Sequence, residues 1–237
     1  MGSILIIARN SLHLTKLAVR SALAQDIQCD VMVINNASED LTAQWLRPKK
    51  DVIAVNYTTQ LSLAACWNRG LKTFFDAGVH EVLVINNDVE ISPNTYRLLQ
   101  LTSYPFVTGV GVSSREQFTI HPNLVIPRNA RPHPDFSCFL MRRGVFDKVG
   151  GFNEDYYPAY AEDSEYHIRM HRAGINAVCV DLPFFHHAAG TLKHASPAEA
   201  SKIKRGADAN RERFRAEYGC LPGSPEYNAL FAQQILV

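Results

Sequence analysis

Four short apolar runs alternate with amphipathic stretches in the first hundred residues, and this alternation limits the possible fold more than any other feature of the chain. The runs cover residues 3–8, 31–34, 51–56 and 82–85. Runs of apolar and β-branched residues are typical of strands that are covered on both faces. The stretches between them repeat apolar residues at helical spacing. The pattern predicts an α/β fold, with a mostly parallel, Rossmann-like sheet flanked by helices and joined by right-handed crossovers.

Polar residues directly follow three of these runs. They are Arg9, Asn10, Asn35, Asn36, Asn86, Asn87 and Asp88. The carboxyl ends of parallel strands meet at one edge of a sheet, so we expect these residues to converge as a nucleotide site would. A carboxylate such as Asp88, held by a rigid strand, also suits Mg²⁺ or Mn²⁺ as a ligand. The simpler interpretation is that loops are polar in general and that residues 86–90 only turn the chain.

The regular alternation stops after residue 101. Further strands are predicted at residues 106–113, 136–141 and 178–180, and the long connection at 117–134 is of the kind that often covers a substrate site. Glu162 and Asp163 open a helix that we expect to run to Arg172. Acids at that position stabilise a helix N-terminus, which alone would explain them, but a carboxylate fixed there can also act as a general base. His186 and His187 could be metal ligands, although a buried histidine with a hydrogen bond is the commoner case.

A capping box, Ser196-Pro197-Ala198-Glu199, predicts one long helix near the C-terminus. One face of this helix is apolar. The other face is basic and is either a solvated surface or a contact for phosphates; its cations are Lys202, Lys204, Arg205, Arg211, Arg213 and Arg215.

The composition excludes several classes of protein. The 237 residues are 46% hydrophobic, which is enough for a full core. With 24 Lys and Arg against 23 Asp and Glu, the net charge of +1 gives no electrostatic case for a nucleic-acid or membrane partner. The five cysteines have no C-x-x-C spacing, and no secretory signal or run of about 20 apolar residues is present. We therefore expect a soluble, cytoplasmic protein, and the missing G-x-G-x-x-G and Walker motifs disfavour dinucleotide and P-loop sites.

Seven segments in order resemble motifs of family 2 glycosyltransferases with a GT-A fold, particularly the rhamnosyltransferase-like branch. The likeness spans about residues 3–195. Residues 35–40 resemble the D-N-G-S-x-D loop, 68–70 N-x-G, 86–89 the N-P-D-V form of the DXD motif, 136–143 the segment ending in R-R, 149–154 V-G-G-F-D-E, 160–165 Y-x-E-D-x-D, and 186–191 H-H-x-x-G-S.

This resemblance implies an inverting transferase that moves a sugar from a nucleotide-diphosphate donor to an acceptor hydroxyl, with Mn²⁺ or Mg²⁺ on the diphosphate. Asp88 would bind the metal, with His187 or His186 as a second ligand or diphosphate contact. Asp163 would be the general base, with Glu162 beside it. The donor would be held by Ala8, Arg9, Asn10, Asn35, Asn36, Asn68, Asn86, Asn87 and Asp88. The acceptor could be a saccharide, a lipid-linked saccharide, a protein or a modified nucleobase.

The resemblance also divides the chain. Residues 1–195 would form the catalytic domain, with a nucleotide-sugar half at 1–101 and an acceptor half at 102–195, followed by a helical extension at 196–237. Asn35 stands where the family usually has the Asp that recognises uracil, so the base preference stays open. Two alternatives remain. One is a sugar-nucleotide or glycan-binding module of the same fold that has lost turnover; the other is a nucleotidyltransferase, whose Gly-rich, Lys-containing first loop is missing here.

Overall fold

A computed structural model of the chain describes residues 1–118, 134–187 and 195–231. Eight strands form one sheet in the order β3-β2-β1-β4-β7-β6-β8-β5. The strands are β1 Gly2–Ala8, β2 Cys29–Asn36, β3 Ile53–Tyr57, β4 Glu81–Asn86, β5 Val89–Glu90, β6 Phe106–Val112, β7 Cys138–Arg142 and β8 Ala177–His186. The helices are α1 Leu12–Leu23, α2 Thr42–Leu46, α3 Leu63–Asp76, α4 Thr95–Leu101, α5 Arg115–Phe118, α6 Arg143–Val149, α7 Glu162–Arg172, α8 Pro197–Tyr218 and α9 Pro225–Ala229.

The first four strands are parallel, as the alternation predicts. β1 pairs with β2 and β4, and β2 pairs with β3, all in parallel register. The second half of the sheet is mixed, because β7 runs antiparallel to β4 and β6, whereas β8 is parallel to β6 and antiparallel to β5. The carboxyl ends of β1, β2, β3 and β4 therefore meet at one edge of the sheet.

The two faces of the sheet bury separate apolar clusters. Along β1, Ile4 and Ile6 belong to one cluster, and Leu5 and Ile7 belong to the other. Because successive side chains of a strand point to opposite faces, a strand covered on both sides must be apolar throughout. A third, smaller cluster joins α7 to α8 and α9.

Serines cap the starts of two long helices, and one of them is the predicted Ser196. The Ser62 hydroxyl accepts a hydrogen bond from the Ala65 backbone N–H at the start of α3. The Ser196 hydroxyl accepts one from the Glu199 N–H at the start of α8, with Pro197 in the first helical turn. A serine that accepts a hydrogen bond from the backbone N–H three positions later satisfies one of the unpaired N–H groups at the start of a helix.

Three local details of the structure differ from what the sequence suggests. The strand predicted at 178–180 is ten residues long, because β8 continues to His186 beside β5 and β6. Val89 and Glu90 form a strand rather than the end of a turn. Ser38 is followed by Glu39 and Asp40, as a helix cap often is, but it does not cap a helix: its hydroxyl accepts from the Asn10 backbone N–H, and α2 begins only at Thr42.

Most of the connection predicted at 117–134, together with residues 188–191 of the H-H-x-x-G-S segment, lies outside the described residues. Among the helices that the structure describes, none combines the length and apolar character that a membrane crossing requires. All five cysteines are free thiols.

Candidate active site

A cavity of about 750 Å³ opens at the sheet edge where β1 and β4 end. Its other walls come from Gln60 and the start of α3, from segments 134–137 and 158–163, and from Ile203 of α8. Among the residues predicted for the site, those that line this cavity are Arg9, Asn36, Asn86, Asn87, Asp88, Glu162, Asp163 and His186. The strand-end residues and the carboxylates of α7, which lie far apart in the sequence, therefore face one space.

Asp88 and His186 lie side by side on one wall of the cavity. Asp88 follows β4, and His186 ends β8 in register with Val89. The Nε2 atom of His186 lies 3.5 Å from Oδ2 of Asp88. Burial favours a lower pKa for His186, but the hydrogen bond and negative charge of Asp88, with a smaller contribution from Asp135, outweigh it and raise the pKa.

His187 points away from Asp88. Its backbone N–H donates to the Asp88 carbonyl at 2.9 Å, while its ring Nε2 lies 2.7 Å from Oε1 of Glu90. The Glu90 carboxylate also pairs with Arg115. Because neighbouring side chains of an extended chain point to opposite faces, only His186 of the two histidines can reach the cavity together with Asp88.

Asp88 and His186 can hold a divalent cation. Within the described residues, no group of three or more His, Cys, Asp or Glu side chains could hold a metal ion on its own. Mg²⁺ is commonly bound by one or two carboxylates, and substrate phosphates and waters complete its coordination. Mn²⁺ accepts carboxylate oxygen and tolerates imidazole. This donor set therefore fits a metal that arrives with a diphosphate.

Glu162 and Asp163 stand in the first turn of α7, on a tightly constrained backbone. Tyr160 and Ala161, which precede them, have φ values of 80° and 72°. Glu162 is only 3% exposed. Burial first, and then the negative charge of Asp163, raises the pKa of Glu162 well above its usual range. Asp163 is less buried, and its Oδ1 accepts the Ser164 backbone N–H at 2.6 Å. The pair thus consists of a carboxyl that resists ionisation and a carboxylate next to it.

Three buried polar atoms of residues that line the cavity have no hydrogen-bond partner in the described structure. They are Nε1 of Trp67, Oδ1 of Asn86 and Oε2 of Glu162. The wall around them is largely apolar and includes Ile7, Leu63 and Phe136. Unsatisfied buried polar groups are rare in native proteins and call for a partner. An apolar pocket with a few convergent polar groups is the usual form of a small-molecule site.

The remaining predicted residues do not line the cavity. The Asn10 amide donates to Glu199, and the Asn35 amide donates to Asn56 at 2.9 Å. Ala8 is fully buried in β1. Asn68 binds the backbone of Phe152 through both ends of its amide.

Arg9 lines the cavity, but its guanidinium already has protein partners. It pairs with Glu39 at 2.9 Å and with Glu199 at 3.0 Å, and it donates to the Ala37 carbonyl. The Asn36 amide is likewise bound to the backbone of Leu61 on both sides. Both residues therefore fix the loops at the sheet edge as well as facing the cavity.

Several cavity residues were missed in the sequence. Gln60 follows β3, so the rule that polar residues follow strands could have found it. Tyr160 lies inside the Y-x-E-D-x-D segment but received no role. Asp135 directly follows the connection at 117–134, in a part of the chain without a motif, and Ile203 is an apolar residue of α8 that looks like ordinary helix packing.

Comparison with known proteins identifies the fold. No protein-family model matches the chain. A curated protein of Sinorhizobium fredii (strain NBRC 101917 / NGR234), "Uncharacterized protein y4gI", is 23% identical over 257 residues. The match covers 90% of this chain but 27% of that protein, so the chain spans about a quarter of its relative's length.

Solved structures are similar over most of the chain. The crystal structure of S. aureus TarS has a TM-score of 0.60 at 16% identity, covering 96% of this chain and 47% of that one. TarS 1–349 in complex with UDP has a TM-score of 0.52 at 15% identity, covering 91% and 72%. The mannosyltransferase PcManGT from Pyrobaculum calidifontis, in complex with GDP-Man and Mn²⁺, has a TM-score of 0.56 at 17% identity, covering 97% and 78%. The chain shares the fold of these proteins, which confirms the predicted GT-A architecture.

Proposed function

We propose that this protein is a glycosyltransferase that moves a hexosyl group from a nucleotide-diphosphate donor to an acceptor hydroxyl. One observation carries the proposal: a single cavity at the strand ends combines Asp88 and His186 with the carboxyl groups of Glu162 and Asp163. The similar fold of a mannosyltransferase bound to GDP-Man and Mn²⁺ supports it. So does the UDP complex of TarS 1–349.

The donor side of the cavity is the wall formed by Arg9, Asn36 and Asp88. In our proposal Asp88 and His186 hold Mn²⁺ or Mg²⁺, which would neutralise charge on the leaving diphosphate. His187 is not part of this proposed set, because its ring is bound to Glu90. Arg9 adds a guanidinium that is 14% exposed and partly committed to Glu39 and Glu199.

The acceptor side is the first turn of α7. In the proposed reaction the acceptor oxygen attacks the anomeric carbon, the bond from that carbon to the diphosphate oxygen breaks, and the nucleoside diphosphate leaves. The acceptor proton passes to Asp163, the more exposed carboxylate of the pair. A single direct displacement inverts the anomeric configuration. Glu162, with its raised pKa, is better suited to hydrogen bonding in its neutral form than to accepting this proton.

A panel of nucleotide sugars tests the proposal. Release of UDP or GDP is followed with Mn²⁺, with Mg²⁺ and with a chelator, for the wild type, Asp88→Asn and the control Asp76→Asn. Asp76 pairs with Lys72 on the exposed side of α3 and is not one of the residues that line the cavity. We expect the chelator and Asp88→Asn each to lower release at least 100-fold, and Asp76→Asn to leave it unchanged. Nucleotide binding without release from any donor would instead indicate the degenerate binding module.

Asp163→Asn tests the base assignment. This variant should retain the Kd for the nucleoside diphosphate and lose kcat, because only the proton acceptor is removed. Glu162→Gln is the matched comparison and should lose less. Near-normal kcat in Asp163→Asn together with a large loss in Glu162→Gln would reverse the two roles.

A further inference from the structure

The long helix α8 packs one face against the walls of the cavity. The residues on this face recur every three or four positions, as neighbours on one side of a helix do. They are Glu199, Lys202, Ile203, Gly206 and Asn210. At the first turn, Glu199 accepts hydrogen bonds from Arg9 and Asn10. One turn later, Lys202 donates to Gln60 at 2.9 Å.

Gly206 brings the helix unusually close to the segment that precedes α7. A Cβ atom at this position would lie 2.3 Å from Cδ of Pro158 and 3.0 Å from the carbonyl oxygen of Tyr157. No side chain fits at such distances, so the contact requires glycine. This close approach carries Asn210, one turn further along, onto the next residues of the same segment.

Asn210 binds two consecutive backbone carbonyls of that segment. Its Nδ2 donates to the carbonyl of Ala159 at 2.9 Å and to that of Tyr160 at 3.2 Å. Asn210 itself is only 3% exposed, so its side chain is enclosed between α8 and this segment. The amide therefore fixes the backbone immediately before Glu162 and Asp163.

The backbone that Asn210 fixes is strained. Tyr160 has φ 80°, and a bulky residue in the left-handed region is an outlier that persists only when its surroundings hold it there. Tyr160 is one of the residues that line the cavity, and it is 42% exposed. Burial first, and then the negative charges of Glu162 and Asp88, raises the pKa of the Tyr160 hydroxyl.

We propose that Asn210 is a positioning residue that holds Tyr160 in its left-handed conformation, and that the Tyr160 ring contacts the sugar of the bound substrate. The inference rests on the proposed function for the nature of that substrate. A tyrosine ring offers an apolar face and one hydroxyl, which matches a sugar ring with its C–H faces and hydroxyl groups. Asn210 acts only through the backbone of Tyr160.

Melting temperatures test the role of Asn210 without any need for turnover. Tyr160→Gly and Tyr160→Ala both remove the ring, but only alanine keeps a Cβ, which is unfavourable at positive φ. With Asn210 present, we expect Tyr160→Gly to melt about 3 °C or more above Tyr160→Ala. When Asn210→Leu is added to both variants, this difference in Tm should vanish or reverse. Asn210→Ala replaces Asn210→Leu if it folds better, with the same expected result. The positioning role is overturned if the Tm difference between Tyr160→Gly and Tyr160→Ala is the same with and without Asn210. It is also overturned if Tyr160→Gly melts below Tyr160→Ala while Asn210 is present.

Turnover tests the substrate contact. Release of nucleoside diphosphate from the active donor of the panel is measured with Tyr160→Ala, Asn210→Leu and the control Asp208→Asn, which lies on the exposed side of α8. The first two should lose at least 10-fold in kcat and keep the Kd for the nucleoside diphosphate within twofold, while the control stays at wild type. Unchanged kcat in Tyr160→Ala overturns the contact. Absence of turnover with every donor overturns the proposed function and the contact with it, and the melting order still decides the role of Asn210.

Discussion

The amide of Asn68 could either bind the nucleotide or support the fold, and substitution of Asn68 distinguishes these two roles. Its Nδ2 donates to the Phe152 carbonyl and to the Glu154 carboxylate, both at 2.9 Å, and its Oδ1 accepts the Phe152 N–H at 2.7 Å. Gly151 lies so close that a Cβ there would be 2.7 Å from the same Oδ1. These contacts tie α3 to the turn between α6 and α7. We therefore expect Asn68→Ala to destabilise the fold and to spare nucleotide binding.

The expected magnitude follows from the three hydrogen bonds. Each contributes about 1 kcal/mol net, and the buried backbone groups of Phe152 lose their partner as well, so Asn68→Ala should lower the free energy of unfolding by about 2–4 kcal/mol. For a chain of this size the Tm should fall by about 4–16 °C. Asn68→Asp keeps the acceptor for Phe152 but sets a carboxylate oxygen against the Phe152 carbonyl and the Glu154 carboxylate, so it should be at least as destabilising as alanine. Glu154→Gln keeps an acceptor for Asn68 and serves as the control.

Urea unfolding and thermal melting measure the loss, and calorimetric titration with UDP and GDP measures binding. The structural role requires lower stability with a Kd within about twofold of wild type. An Asn68→Ala protein that unfolds like the wild type but binds either nucleotide more than about tenfold more weakly would refute this reasoning and favour the nucleotide contact predicted from the sequence.

Three further perturbations have defined outcomes. In the folded protein the pKa of Glu162 is raised, so its contribution to stability is complete below the ordinary pKa of 4.5 and is lost as pH rises through the folded pKa. The Tm of Glu162→Gln minus that of the wild type should therefore increase as the pH is raised from 4 to 9, and a constant difference contradicts this. Glu199→Ala should lower the free energy of unfolding by about 1–3 kcal/mol in urea, because charged hydrogen bonds to the first loop are lost; an unchanged midpoint would show that the contact is inert. Gly70→Ala should cost about 1–3 kcal/mol, since the new Cβ would lie 2.4 Å from Leu5, whereas Gly144→Ala, which meets nothing within 4 Å, should not destabilise; equal melting of the two variants would argue against the clash.

The parallel half of the sheet could be predicted because its signals are local. Each of β1, β2 and β4 is an apolar run with its own helix following, and the crossover rules leave little choice of arrangement. The strand β5 could not be predicted, because two residues carry no periodic pattern and Val89 pairs with His186, 97 positions away. The same pairing extends β8 beyond the short run that the sequence shows.

The candidate site divides in the same way. Asp88 could be placed at the sheet edge from its own strand, whereas the choice between His186 and His187 depends on the register of β8 against β5. Polar side chains such as Asn35 carry no mark in the sequence that tells whether a ligand or a neighbouring loop satisfies them. Asn210 lies in a helix of ordinary composition, and its bonds to the segment before α7 exist only through tertiary packing.

The ion pair between Arg9 and Glu199 joins residues 190 positions apart, and this separation matters during synthesis. At about 5–20 residues per second, a ribosome adds the intervening chain in roughly 10–40 s. When Arg9 leaves the ribosome, Glu39 is the first of its two carboxylate partners to follow. Glu199, the second, is made only after all eight strands of the sheet. We expect the nascent protein to assemble its strands first and to gain the wall formed by α8 only afterwards, so that the cavity at the sheet edge is complete only once α8 has been made.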